Sequence, residues 1–156
     1  MDADAGGQAM QQHIEIMTVA TPGRSMVDVS RSIGQRLQGA GAKDGLVTLF
    51  IRHTSASLVI QENADPDVRH DLLGALDRLA PEDGGYVHTI EGPDDMPAHI
   101  KAALTATSLA IPVMGGRMLL GTWQGVYLVE HRARPHTREI VLHFAGSMVA
   151  STEAEA

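Results

Sequence analysis

Cysteine is absent from this chain of 156 residues. That excludes disulfides, thiolate metal sites and cysteine nucleophiles, and it leaves the redox compartment open. Aromatic residues make up only 3% of the sequence, so its single tryptophan stands out. No run of ~18 apolar residues occurs, so no membrane-spanning helix is expected. The first dozen residues offer neither a basic stretch nor an apolar one, so a secretory signal is not expected and a cytoplasmic location is. Basic residues are scarce as well: 12 Lys and Arg against 19 Asp and Glu, a net charge of −7. A nucleic-acid binder would usually show a basic face, so that class is not expected.

What is present is enough for one domain. The chain is 44% hydrophobic and 20% charged, which excludes disorder and collagen-like structure. A chain of this length buries about 68–70% of its unfolded surface and needs no metal or disulfide merely to fold. The acidity is local. Between Glu62 and Asp95 ten acids face only Arg69 and Arg78, so this window carries −8 and the rest of the chain +1.

Periodicity gives the elements. Residues 1–12 and 149–156 read as loose ends around a single domain at 13–148. His13 to Ala20 reads as a strand. Ser25 and Asp28 match a capping box, which predicts a helix from there with Val29, Ile33 and Leu37 on one face. Leu46 to Arg52 reads as a buried strand, and the turn at Thr54 to Ser57 leads to another, Leu58 to Gln61. Asp65-Pro66 predicts a helix start, with Val68, Leu72, Leu76 and Leu79 as its apolar stripe. Tyr86 to Ile90 is expected as a strand, and Pro97 as the opening of a short helix. Leu109–Val113, Arg117–Leu120, Gly125–Glu130 and Arg138–Phe144 read as strands in antiparallel hairpins. Early helices followed by a strand cluster indicate an α+β fold: one compact domain with mixed or antiparallel sheets and about three helices.

Eight histidines are many for this length. His13, His70 and His143 read as surface or strand-face residues. His53 and His131 sit at expected strand ends, and His88 and His99 flank the acidic loop Glu91-Gly-Pro-Asp-Asp95, so these four could converge. Imidazoles with carboxylates suit zinc and related ions, although no H-E-x-x-H is present and local packing is the plainer alternative. Adjacent carboxylates at Glu91, Asp94 and Asp95 repel. A divalent cation, a cationic substrate or the following helix N-terminus would offset this, and helix capping by Asp95 is the alternative. Thr54, Ser55 and Ser57 could cradle an anion, close a turn, or supply a nucleophile at Ser55, though no G-x-S-x-G is present. Trp123 is either a core plug or a pocket wall. Arg132, Arg134 and Arg138 form a basic patch suited to an anion.

Several of these segments together resemble one family. They are His53-Thr-Ser-Ala-Ser-Leu58, Glu62-Asn-Ala-Asp-Pro66 with Val68, Arg69 and Asp71, then Tyr86, His88 and Glu91 through Lys101. Thr107-Ser-Leu109, Pro112-Val113, Gly121-Thr-Trp-Gln-Gly125 and Glu130-His-Arg132 follow. In this order, over roughly residues 45 to 146, they resemble the YjbQ-like family, also called the secondary thiamine-phosphate synthase family. The resemblance implies a YjbQ-like α+β domain, a homotrimer, and a site near the subunit interface using His88, His99 and His131, with Glu62, Asn63, Glu91, Asp94 and Asp95 nearby.

The activity it implies joins a hydroxymethylpyrimidine diphosphate to a thiazole phosphate, as a weak secondary reaction. From residue chemistry, a divalent metal (zinc or magnesium) would sit on the three histidines, with Glu62, Glu91, Asp94 and Asp95 as catalytic or metal-supporting acids. His53, Thr54, Ser55, Ser57, Asn63, Lys101, Ser108, Trp123, Gln124 and Arg132 would bind a phosphorylated small molecule. Two alternatives stand beside this: a metal-dependent hydrolase of a phosphorylated or acylated small molecule, and a non-enzymatic trimer that binds a metal or ligand.

Overall fold

A computed structural model describes residues 9–150. Two antiparallel sheets share one core. The larger has the order β1-β8-β3-β5-β6, built from Gln11–Thr21 (β1), His136–Met148 (β8), Ala42–Ile51 (β3), Ser108–Met114 (β5) and Arg117–Met118 (β6). The smaller has the order β2-β7-β4, from Ser25–Asp28 (β2), Gln124–Glu130 (β7) and Ala56–Glu62 (β4). Three helices complete the domain: α1 (Ser30–Gly39), α2 (Pro66–Leu79) and α3 (Asp95–Leu104). All strand pairs are antiparallel, which narrows the expectation of mixed or antiparallel sheets.

Period-two alternation builds the core. Val47, Leu49 and Ile51 of β3 and Ile140, Leu142 and Phe144 of β8 are buried and pack with Leu58, Val126 and Leu128 of the smaller sheet. Ile33 and Leu37 of α1, preceded by Val29, close one side as their spacing predicts. At one point the larger sheet needs glycine. A Cβ on Gly45 would run into the Ala145 carbonyl oxygen, beside the bulge that follows Ala42 in the β3–β8 ladder.

Several expected boundaries change. Ser25–Asp28 is a strand, not a capping box; it pairs with Tyr127–Glu130, and tertiary pairing overrides the local signal. Helix α1 begins at Ser30, whose N–H donates to Asp28 Oδ1. Tyr86–Ile90 is not a strand but an irregular segment that pairs with no sheet edge; Val87 and Ile90 are almost fully exposed. Helix α2 keeps its predicted Asp65 cap, which accepts from the Asp67 N–H, yet no residue of it is fully buried. Helix α3 starts at Asp95, two residues before Pro97. The expected loose ends fall mostly outside the described residues, but Gln11 and Gln12 belong to β1. Among the described residues no helix is long and apolar enough to cross a membrane.

The chain crosses between the sheets twice at the same end. Residues 52–55 carry it from β3 to β4, and 131–135 from β7 to β8, with Ala56 paired to Glu130. The crossovers carrying His53 and Arg132 therefore lie together, and the start of α3 lies against them.

Candidate functional site

The acidic loop and the first turn of α3 meet at this end. Asp95 is only 4% exposed. His88 Nε2 lies 2.7 Å from its Oδ2, and His99 Nε2, one helical turn on, lies 3.1 Å from the same oxygen. The two rings stand 5.6 Å apart between centroids. The three donor atoms fall within 4.8 Å of one another. Asp95 therefore turns its carboxylate to the histidines instead of capping α3.

Arg132 holds the loop together. Its Nε donates to Asp94 Oδ2 (3.0 Å), Nη1 to Asp95 Oδ1 (2.8 Å) and Nη2 to the Glu91 carbonyl (2.9 Å). The Ala133 N–H also donates to Asp94 Oδ2. Burial alone would raise the Asp95 carboxyl, but His88, His99 and Arg132 outweigh it and hold it below the usual carboxylate range. Burial likewise opposes Asp94, and the Ala133 N–H and Arg132 overcome it. The repulsion expected in this loop is thus offset by a protein cation. Arg132 is committed here instead of standing free for a phosphate, which corrects the expected role.

One contact in the cluster is chemically unbalanced. His99 Nδ1 lies 2.9 Å from the Thr54 carbonyl oxygen. A carbonyl only accepts, so Nδ1 carries the hydrogen and a neutral ring turns the Nε2 lone pair toward Asp95 Oδ2. Two acceptors in contact need a second ring proton or a cation between them. A backbone carbonyl that fixes the tautomer in this way is the usual support of a metal-bound histidine. With two imidazoles and one carboxylate, the donor set suits zinc or a similar borderline ion better than magnesium, which prefers oxygen.

His131 does not join the cluster, contrary to the expected histidine trio. It is 1% exposed, and its Nε2 lies 2.8 Å from Ser57 Oγ, which also receives Thr105 Oγ1–H. Burial first, then Lys101, pushes its pKa down to about 4. Ser57 is therefore a buried partner of His131 and not an anion ligand. Lys101 is also buried and donates to Asp77, so it too is committed away from substrate.

A cleft of about 680 Å³ opens beside His99, lined among others by His53, Thr54, Ser55, Thr107 and Arg138. Ser108 opens β5 opposite Phe50, next to Thr107. The sequence places Arg138 in a basic patch suited to an anion and at the start of a strand. It is buried, and pairs through Nε and Nη2 with the fully buried Glu130. The signal was available, since Arg138 shares the period-two face of Ile140, Leu142 and Phe144.

The other expected residues gather elsewhere. Glu62 pairs with Gln124 six residues along β4 from the Ala56–Glu130 pair, about 20 Å at ~3.3 Å per residue. There the Asn63 N–H donates to the Trp123 carbonyl, Asn63 Nδ2 to the Gln124 carbonyl, and the Gly121 N–H to Gln124 Oε1. Trp123 is 64% exposed, so it is neither a core plug nor a wall of the cleft. Glu62 Oε2 is buried without a hydrogen-bond partner. Within one chain, Glu62, Asn63, Trp123 and Gln124 cannot reach the histidine cluster. The side chain of Glu91 is exposed, and only its carbonyl serves the cluster.

Comparison with known proteins bears on the family and the fold. The family model described as "UPF0047 protein YjbQ-like" matches residues 13–147. A UPF0047 protein of Synechocystis sp. is 55% identical over 139 residues, 88% of this chain and 95% of that protein. The UPF0047 protein YjbQ of Escherichia coli O157:H7 is 49% identical over 102 residues, 65% of this chain and 74% of that one. Among solved structures, an uncharacterised yjbq/UPF0047 protein of Clostridium acetobutylicum superposes with TM-score 0.77 at 35% identity, covering 83% of this chain and 98% of that one. A protein of unknown function from Sulfolobus solfataricus P2 shares the fold with TM-score 0.82 at 24% identity, covering 89% and 100%.

Proposed function

We propose that this chain, which belongs to the UPF0047 YjbQ-like family, is a metal-assisted transferase acting on small phosphorylated substrates. Its reaction joins a hydroxymethylpyrimidine diphosphate to a thiazole phosphate with loss of pyrophosphate. The observation that supports the metal reading is the contact of His99 Nε2 with Asp95 Oδ2: with Nδ1–H held by Thr54, a neutral ring leaves that contact to be completed by a cation. His88, Asp95 and His99 would hold the ion, and an ion so held supplies Lewis acidity toward a phosphoryl oxygen. Arg132, donating to Asp95 Oδ1, favours the ionised carboxylate that a cation would need. His88, 45% exposed at its side chain, leaves the cluster open to solvent on that side. The cleft beside His99 offers room for the substrate.

The test mixes both precursors with protein reconstituted with zinc or with magnesium, and measures thiamine phosphate and pyrophosphate. Product with the wild type and none with Asp95→Asn is expected. No product with either ion overturns the transferase reading.

A second reading has its own support. Arg132 and Lys101, the cations expected to grip a pyrophosphate, are spent on Asp94, Asp95 and Asp77. A metal-dependent hydrolase of a smaller phosphorylated or acylated molecule needs fewer cations. Zinc-loaded protein that turns over no phosphomonoester or carboxylic ester removes it. For assembly we propose a homotrimer. Ile14, Ile16, Leu46 and Phe50 lie exposed on the outer face of the larger sheet, an apolar area suited to a second copy. Light scattering at the mass of one 16.6 kDa chain overturns it.

A further inference from the structure

The buried Arg138–Glu130 pair leaves part of the guanidinium unused. Arg138 Nε donates to Glu130 Oε1 at 2.8 Å, and Nη2 to Glu130 Oε2 and, at 3.0 Å, to Ser55 Oγ. For Nη1 the polar neighbour is His53 Nδ1, 3.5 Å away. The far side of the ring decides what that contact is. The Glu139 backbone N–H donates to His53 Nε2 at 2.8 Å. An amide N–H only donates, so Nε2 carries the lone pair and Nδ1 the hydrogen. An imidazolium would set two N–H groups against each other at that distance. Burial, then Arg138, also lowers the pKa of His53, in keeping with a neutral ring. Nδ1–H and Nη1–H therefore meet as two donors with no acceptor between them, an arrangement that costs free energy until an acceptor arrives. Both residues line the cleft, together with Arg52, Thr54, Ser55 and His99.

We propose that His53 Nδ1–H and Arg138 Nη1–H form an oxyanion subsite that takes a phosphate or carboxylate oxygen of a molecule entering the cleft beside His99. A permanently charged guanidinium favours an anion over a neutral carbonyl, through charge-assisted hydrogen bonding. The subsite deepens the reading of the cleft as the substrate side of the cluster and rests on it, but it needs no ion. It makes Arg138 a binding residue and gives His53 a defined donor atom.

The test uses chelator-treated protein carrying ¹⁵N-labelled histidine. His53 is expected as the Nδ1–H tautomer, and added inorganic phosphate or acetate is expected to shift its ring signals. Whichever anion saturates at lower concentration assigns the class. Calorimetric titration of His53→Leu and Arg138→Lys should show at least a tenfold weaker affinity for that anion. The tautomer measurement and the His53 variant keep the test open if Arg138→Lys fails to fold. An Nε2–H tautomer overturns the proposal. So does saturation by neither anion, or an unchanged affinity in His53→Leu. Retained anion binding in a protein that takes up no zinc would sink the metal reading and leave this one standing.

Discussion

His131 should make this protein acid-sensitive in a range where its carboxylates are still ionised. Its folded pKa is about 4, against 6.5 for the free ring. The folded state therefore holds the ring neutral while the unfolded chain can protonate it. A lowered folded pKa contributes stability that is fully present above pH 6.5 and is lost as pH falls toward 4. Lowering the ring from 6.5 to about 4 is worth about 3 kcal/mol, of which about 2 is already gone at pH 5. Replacing His131 with Gln keeps a hydrogen-bonding group toward Ser57 but removes the titration. At pH 7 the variant should be less stable by about 1–2 kcal/mol, from imperfect packing and hydrogen bonding in a buried site. On acidification the wild type falls faster, so the two urea-unfolding stabilities should cross between about pH 5 and 6. Measuring both proteins at pH 7, 6, 5 and 4.5 tests this. Parallel curves would show that His131 is not the buried neutral ring described here. Stabilisation of the wild type by zinc that vanishes in His131→Gln but survives in Asp95→Asn would return His131 to the metal site and refute the placement.

Three further changes test other parts of the structure. Arg132→Gln strands two carboxylates, one of them nearly fully buried, and should cost about 3 kcal/mol, or about 6–12 °C in Tm. Because Asp94 and Asp95 are held below their ordinary value of 3.8, that difference should be full above about pH 4 and shrink below it as the acids protonate. A pH-independent loss down to pH 3 counts against the pairing. Gly45→Ala drives a methyl group into the Ala145 carbonyl and should cost about 2 kcal/mol or more through displacement of β3 from β8; a neutral result in calorimetry refutes the close approach. Asp65→Ala removes the one side-chain cap of α2 and should cost about 1 kcal/mol by urea unfolding, while Asp65→Asn should cost almost nothing.

The fold was legible wherever burial writes a period into the chain. Val29, Ile33 and Leu37 announced α1, Asp65-Pro66 announced α2, and the late alternating segments announced β5, β7 and β8. The failures share one cause. Ser25–Asp28 carries a helix-start signal, and Tyr86–Ile90 looks like a strand. Each outcome was decided by whether a partner strand was available: β7 receives the first, and nothing receives the second.

The same logic divides the site. His88, Asp95 and His99 come together because they flank or end one loop, and the i, i+4 spacing of Asp95 and His99 on α3 makes their contact local. His131 was misplaced because a histidine at a strand end can turn outward to the loop or inward to the core, and sequence does not record which. The inward choice follows from Ser57 and Thr105, 74 and 26 positions away in sequence, which supply its partner and that partner's donor. Arg132 and Lys101 illustrate the complementary error. A cation beside an acidic loop was read as free for an anionic ligand, when the nearest anions were the protein's own. Once those cations are spent, the donors left without an acceptor are His53 Nδ1–H and Arg138 Nη1–H. Of the basic patch Arg132, Arg134 and Arg138, it is thus the buried Arg138, already paired with Glu130, that turns a spare N–H to the cleft.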